Sequence, residues 1–90
     1  MIAKQEFFDL ISRKKDLPTI CEGKRDVAAL KQLGFTRIIE LNAPLFAVVE
    51  RFEKKERVQI LTDLDAEGKR LYSRLSSDLK QRGVHVDNEL

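Results

Sequence analysis

Ninety residues suit one compact domain, large enough for a real core but thin in its margin of stability. A chain that is 42% apolar and 36% charged is globular rather than disordered. Its net charge of +2 argues neither for nor against nucleic acid, because an acidic site can hide a basic surface in the sum.

The elements alternate along the chain. Residues Ala3 to Ser12 read as a short amphipathic helix with Phe7, Leu10 and Ile11 on one side. Leu17 to Glu22 reads as the first strand, with Pro18 at its start, where a missing amide donor is tolerated. Asp26 can cap a helix running to Leu33, with Val27, Leu30 and Leu33 facing inward and Gly34 stopping it. Arg37 to Leu41 is the second strand. Pro44 suits the first turn of a helix on which Leu45, Val48, Val49 and Phe52 recur at helical spacing. Arg57 to Thr62 makes the third strand. A long helix follows from Glu67 to Arg82, striped by Leu71, Leu75 and Leu79, with Gly83 beyond its end. Val84 to Asp87 offers a short fourth strand. This order predicts a parallel sheet with right-handed crossovers. There is no internal repeat, no low-complexity segment and no second domain.

The single Cys21 excludes an internal disulfide, and its apolar strand marks it as a small buried hydrophobe rather than a reactive thiol. No apolar run approaches the ~18 residues of a membrane span, and nothing reads as a signal peptide. A cytoplasmic protein with no membrane attachment is the expectation.

Two acidic motifs carry the chemistry. Glu22-Gly23-Lys24-Arg25-Asp26 follows the first strand, and Asp63-Leu64-Asp65-Ala66-Glu67-Gly68 follows the third. If both strands share one parallel sheet, Glu22, Asp63 and Asp65 arrive together at its carboxyl edge, where open α/β sheets bind ligands. Three carboxylates there repel one another unless a hard cation, Mg²⁺ or Mn²⁺, joins them. Such a cation would act as a Lewis acid on a phosphodiester. Gly23 lets backbone amides approach a phosphate, and Lys24 and Arg25 can neutralise its charge. Gly68 helps the next helix begin tightly, and that helix start, with Lys69, favours a phosphate too. A loop or helix cap is the plainer role for any single Asp-x-Asp.

These motifs, in this order and on this framework, resemble the two signatures of Toprim domains. Toprim is the module shared by topoisomerases, bacterial-type primases, recombination-repair proteins and overcoming-lysogenization-type nucleases. The resemblance runs from Leu17 to about Arg82. Lys24 and the small size look closest to the small stand-alone Toprim proteins and the ribonuclease that matures 5S ribosomal RNA. It implies an α/β, Rossmann-like Toprim domain over residues 17–90, with three to four parallel strands and helices on both faces. Residues 1–16 would form an N-terminal helix and linker.

The implied function is Mg²⁺-dependent phosphodiester chemistry, as an RNA-processing nuclease. Glu22, Asp63 and Asp65 would be its catalytic and metal-binding residues, Glu22 as general acid/base or ligand according to the branch. Gly23, Lys24, Arg25, Asn42, Gly68 and Lys69 would contact the substrate. Asp26 matches a family acidic position, with helix capping as its other role. Asn42 follows the second strand, where small Toprim proteins place an Asn before Gly; Ala43-Pro44 replaces that Gly, and a turn residue is the alternative.

The expected partner is nucleic acid, RNA before DNA, and an exposed sheet edge would permit a homodimer or a larger processing complex. The competing class is a non-catalytic nucleic-acid-binding or scaffold subunit. Lys14, Lys15, Lys69, Arg70 and Arg74 form a candidate nucleic-acid track, although solvated helix faces explain such charges equally well. His85 has no companion at ligand spacing and reads as a surface residue. Tyr72 and the five Phe residues follow helical apolar faces, so core packing is their expected role. Haloacid-dehalogenase-like phosphatases carry Asp-x-Asp after the first strand rather than the third. Receiver domains need a phospho-acceptor with a later Lys that does not stand out here. Walker A and dinucleotide-binding glycine patterns are absent.

Overall fold

The structure is a computed structural model that describes residues 4–62 and 65–88. Its elements run α1 (Lys4–Lys14), β1 (Thr19–Cys21), α2 (Lys24–Gln32), β2 (Ile38–Glu40), α3 (Leu45–Val49), β3 (Arg57–Leu61), α4 (Ala66–Gln81) and β4 (His85–Asp87). The four strands form one parallel sheet in the order β2-β1-β3-β4.

That order and the right-handedness of parallel crossovers together dictate the layers. The chain steps one way from β1 to β2 and then reverses through β3 to β4. The helix of the first step must therefore lie on the opposite face from those of the later steps. Packing agrees. Ile20, Val58 and Ile60 face Val48, Val49 and Phe52 from the α3 region and Leu75 and Leu79 from α4. Cys21 faces the other way, with Ile11 of α1 and Leu30 of α2, and Ile38 and Leu61 pack against that cluster. Leu75 and Leu79 are both 0% exposed, and each buried leucine contributes about 1.5–3 kcal/mol.

Glycine ends α2 and α4 as anticipated. Gly34 and Gly83 have φ of 93° and 86°, the left-handed region that favours glycine. Phe35 N–H donates to Leu30 O and Gly34 N–H to Lys31 O; Val84 N–H and Gly83 N–H repeat the pattern on Leu79 and Lys80. These are Schellman motifs, and each is followed by a buried apolar residue, Phe35 or Val84.

Several expectations need correction. The strands β1 and β2 are shorter than their apolar runs, although flanking backbone bonds, Thr19 N–H to Arg37 O and Leu41 N–H to Cys21 O, carry the pairing a residue further. Asp26 is not the N-cap of α2: Gly23 is, and Asp26, one turn inside, accepts a bond from Gly23 N–H at 3.2 Å. Pro44 caps α3 from outside, and Phe52 lies beyond that helix yet is only 2% exposed. Of the five Phe residues, Phe35 and Phe52 are core, whereas Phe7, Phe8 and Phe46 are exposed, as is Leu33. Short helices on a small sheet have more apolar positions than the sheet can cover.

Lys14 leaves the candidate nucleic-acid track. It is buried, and its ammonium pairs with Asp87 at 2.7 Å with both side chains 10% exposed or less. Gln59 completes this polar seam between α1 and the sheet, donating to Lys14 O and Thr19 Oγ1, each at 2.9 Å. Val84–Asp87 does supply the fourth strand, as an edge strand parallel to β3.

Candidate metal and phosphate site

The strand order places the site. The connections leave β1 and β3, neighbours in the sheet, toward opposite faces: α2 on one, α4 on the other. Between the carboxyl ends of those strands a crevice opens, where doubly wound sheets take their ligands. Cys21 of β1 is in register with Leu61 of β3 and Glu40 of β2. Glu22 thus leaves the sheet at the crevice, half-buried beneath the start of α2. On the other side the chain leaves β3 through Thr62. Asp63, the first carboxylate of the second motif, lies outside the described residues.

Asp65 is the N-cap of α4, its Oδ1 accepting from Gly68 N–H at 2.7 Å. Capping employs one oxygen of an exposed carboxylate and leaves Oδ2 without a hydrogen-bond partner among the described residues. Cap and ligand are therefore compatible roles for one side chain. Glu22 and Asp65 offer hard oxygen donors from the two walls of the crevice, a donor set that suits Mg²⁺ or Mn²⁺ rather than a soft metal. Among the described residues no three His, Cys, Asp or Glu side chains meet at metal-binding distance.

Gly23 is informative through what does not require it. Its φ of −155° is extended backbone that any residue adopts, and a Cβ there would meet nothing within 4 Å. Neither strain nor crowding within the described chain calls for glycine. Glycine is one of the residues favoured at an N-cap, the position it holds here. Lys24 and Arg25 follow directly as exposed residues of the first turn of α2, and Lys69 is exposed on α4.

Asn42 lies elsewhere. It is exposed beyond β2 and lines an open groove of about 390 Å³ with Glu40, Lys31 and Arg51, one strand removed from the β1–β3 crevice. The sequence reading overlooked Glu40. As the last residue of β2, in register with Cys21, it brings another carboxylate to the carboxyl edge. A charge closing an Ile-Ile strand was the available signal. Cys21 itself is fully buried, and burial first, then Asp26 and Glu40, push its thiol from 9.0 up to about 11. It stays protonated at neutral pH and is no nucleophile.

The four parallel strands with helices on both faces make a doubly wound α/β domain, whose order reverses at β1 and β3. The Toprim domain model matches residues 18–88, and the chain belongs to the Toprim family. Membership associates it with metal-dependent chemistry on nucleic acids. A UPF0292 protein of Methanocaldococcus jannaschii is 32% identical over 80 residues, covering 84% of this chain and 62% of that protein. A UPF0292 protein of Pyrococcus abyssi is 39% identical over 79 residues, covering 86% and 60%. The chain thus spans less than two thirds of the length of these relatives. A solved structure of a protein from Aquifex aeolicus superposes with a TM-score of 0.83 at 26% identity, covering 98% of this chain and 84% of that one. Among the described residues no helix is long and apolar enough to cross a membrane.

Proposed function

We propose that this chain carries out Mg²⁺-dependent hydrolysis of nucleic-acid phosphodiesters, as an RNA-processing nuclease. The observation that carries the proposal is that Glu22 follows β1 and Thr62 follows β3, adjacent parallel strands at the reversal of strand order, with Asp65 at the start of α4. Glu22, Asp63 and Asp65 would hold the ion, which supplies Lewis-acid stabilisation of charge on the phosphodiester. The chain's own residues bind and orient. Gly23 admits a phosphate to the backbone, and Lys24, Arg25 and Lys69 offset its charge. Partial burial of Glu22 strengthens its electrostatic interactions relative to open water.

The test is calorimetric titration of Mg²⁺ and Mn²⁺ into wild type and Asp63→Asn/Asp65→Asn, with and without a short structured RNA. A cleavage assay on the same RNA includes Glu22→Gln. Metal uptake that the double substitution abolishes, with cleavage lost in all variants, is the expected result. RNA binding without cleavage by the wild type would leave a non-catalytic binding module, and absence of metal uptake would remove the catalytic reading altogether.

A further inference from the structure

The tetrapeptide Glu-Gly-Lys-Arg occurs twice, at 22–25 and at 67–70, in a chain otherwise free of repeats. The first copy opens α2 behind β1 and the second lies in the first turns of α4 behind β3. They sit at different depths. Gly23 precedes α2, so Lys24 and Arg25 are its first two residues, whereas Lys69 and Arg70 are the fourth and fifth of α4. Because α2 and α4 cover opposite faces and β1 neighbours β3, the two cation pairs flank one crevice from both sides.

Among the described residues these four cations form no ion pair that holds the fold together; all are exposed and none has an anionic partner. A cation near a helix N-terminus opposes the helix dipole, whereas one near the C-terminus gains. The chain also has cations at the favourable ends, Lys31 of α2 and Lys80 of α4. On the α4 side the cationic surface continues. A shallow groove of about 470 Å³ is lined by Lys69, Arg70, Ser73 and Arg74, and an adjoining one of about 360 Å³ shares Arg70 and Arg74 with Leu45, Leu71 and the acidic Glu67. Arg74 meets Asp78 at 3.6 Å, an exposed pair that binds weakly and yields easily to a stronger anion.

We infer that the two pairs form a two-sided phosphate clamp for one nucleic-acid strand that crosses the carboxyl edge of the sheet. Lys24 and Arg25 hold its backbone on the α2 side; Lys69 and Arg70, extended by Ser73 and Arg74, hold it on the α4 side. The inference rests on reading the crevice as a phosphodiester site and adds the class and path of the substrate. A mononucleotide or terminal phosphate engages one pair, whereas a polymer engages both. Charge complementarity selects the occupant: a polyanion with regularly spaced phosphates satisfies cations on both walls.

The experiment is fluorescence anisotropy with an unstructured oligoribonucleotide on the order of a dozen nucleotides long, titrated over a range of salt. EDTA is present throughout, so metal chemistry does not enter. Lys24→Ala/Arg25→Ala and Lys69→Ala/Arg70→Ala are compared with Lys31→Ala/Lys80→Ala, which removes equal charge from the opposite ends of the same helices. Each clamp variant is expected to weaken binding about tenfold and to flatten the log–log salt dependence by about 1.4, at roughly 0.7 per single-strand phosphate contact. The control variant keeps the wild-type affinity and slope.

Thermal unfolding gives the opposite ranking, the control falling below wild type while the clamp variants do not. Equal losses in all three variants, a loss confined to one pair, or displacement of the RNA as readily by polyglutamate as by unlabelled RNA would each overturn the clamp. Failure of the wild type to bind overturns it too, while the metal titration decides separately whether the crevice reading stands.

Discussion

At the scale of single residues, two glycines that look alike in the sequence have different reasons to be there. Gly34 sits at φ 93°, where a side chain strains the backbone, and Gly23 at φ −155°, where it does not. Gly34→Ala is expected to cost about 1–2 kcal/mol by denaturant unfolding while RNA affinity stays at the wild-type level. Gly23→Ser should do the reverse. Serine is the better N-cap by a few tenths of a kcal/mol, and nothing in the described chain obstructs its Cβ. The variant should therefore be at least as stable as wild type yet bind RNA severalfold more weakly. Full retention of RNA affinity in Gly23→Ser would mean that no ligand approaches this backbone. Helical spacing already set Gly34 apart as a helix stop, and its dihedral angle agrees, whereas Gly23 sits in unstrained extended backbone.

Among elements, the seam between α1 and the sheet is the contact least expected from the sequence. Lys14 and Asp87 are 73 residues apart, and each resembles an ordinary solvated charge in its local stretch. Their burial follows from the register that lines up Thr19, Gln59 and Asp87 across three strands beneath the last turn of α1. Breaking such a pair from one side leaves an uncompensated buried charge. Asp87→Asn should cost about 3–5 kcal/mol in urea unfolding, and Lys14→Met/Asp87→Leu should recover most of that loss.

A single substitution that costs less than about 1 kcal/mol would show the pair to be solvated, because exposed pairs contribute no more than that. Short-range patterns made the order of elements legible: short apolar runs for strands, apolar residues at helical spacing, Pro44 before α3, Gly34 and Gly83 after their helices. Exposure of Phe7, Phe8 and Phe46 was not legible, because periodicity shows that a helix has an apolar face but not how much sheet there is to cover it.

For the whole molecule, strand order sets side by side the ends of the two strands that distant motifs follow. That adjacency could be anticipated once both motifs were placed after strands of a single parallel sheet. A further edge carboxylate, Glu40, belongs to no motif; its one sign in the sequence is a charge closing an Ile-Ile strand, and register with Cys21 is what places it at the edge. Gathering carboxylates at one edge has a consequence for global stability that depends on the metal. Without a divalent ion their mutual repulsion opposes folding; with one, binding to the folded state alone stabilises it. Asp63→Asn/Asp65→Asn isolates this effect, because asparagine caps α4 about as well as aspartate and the local helix contribution is retained.

In EDTA the double variant should melt at or above the wild-type temperature. At Mg²⁺ about a hundredfold above its dissociation constant, wild type should gain about 2.7 kcal/mol. For a domain of this size that corresponds to a rise of roughly 10–20 °C, while the variant stays where it was. The order of the two melting curves thus reverses with the metal. A wild type that melts above the variant in EDTA and is unmoved by Mg²⁺ would instead make these carboxylates structural, with Asp65 serving as a cap alone.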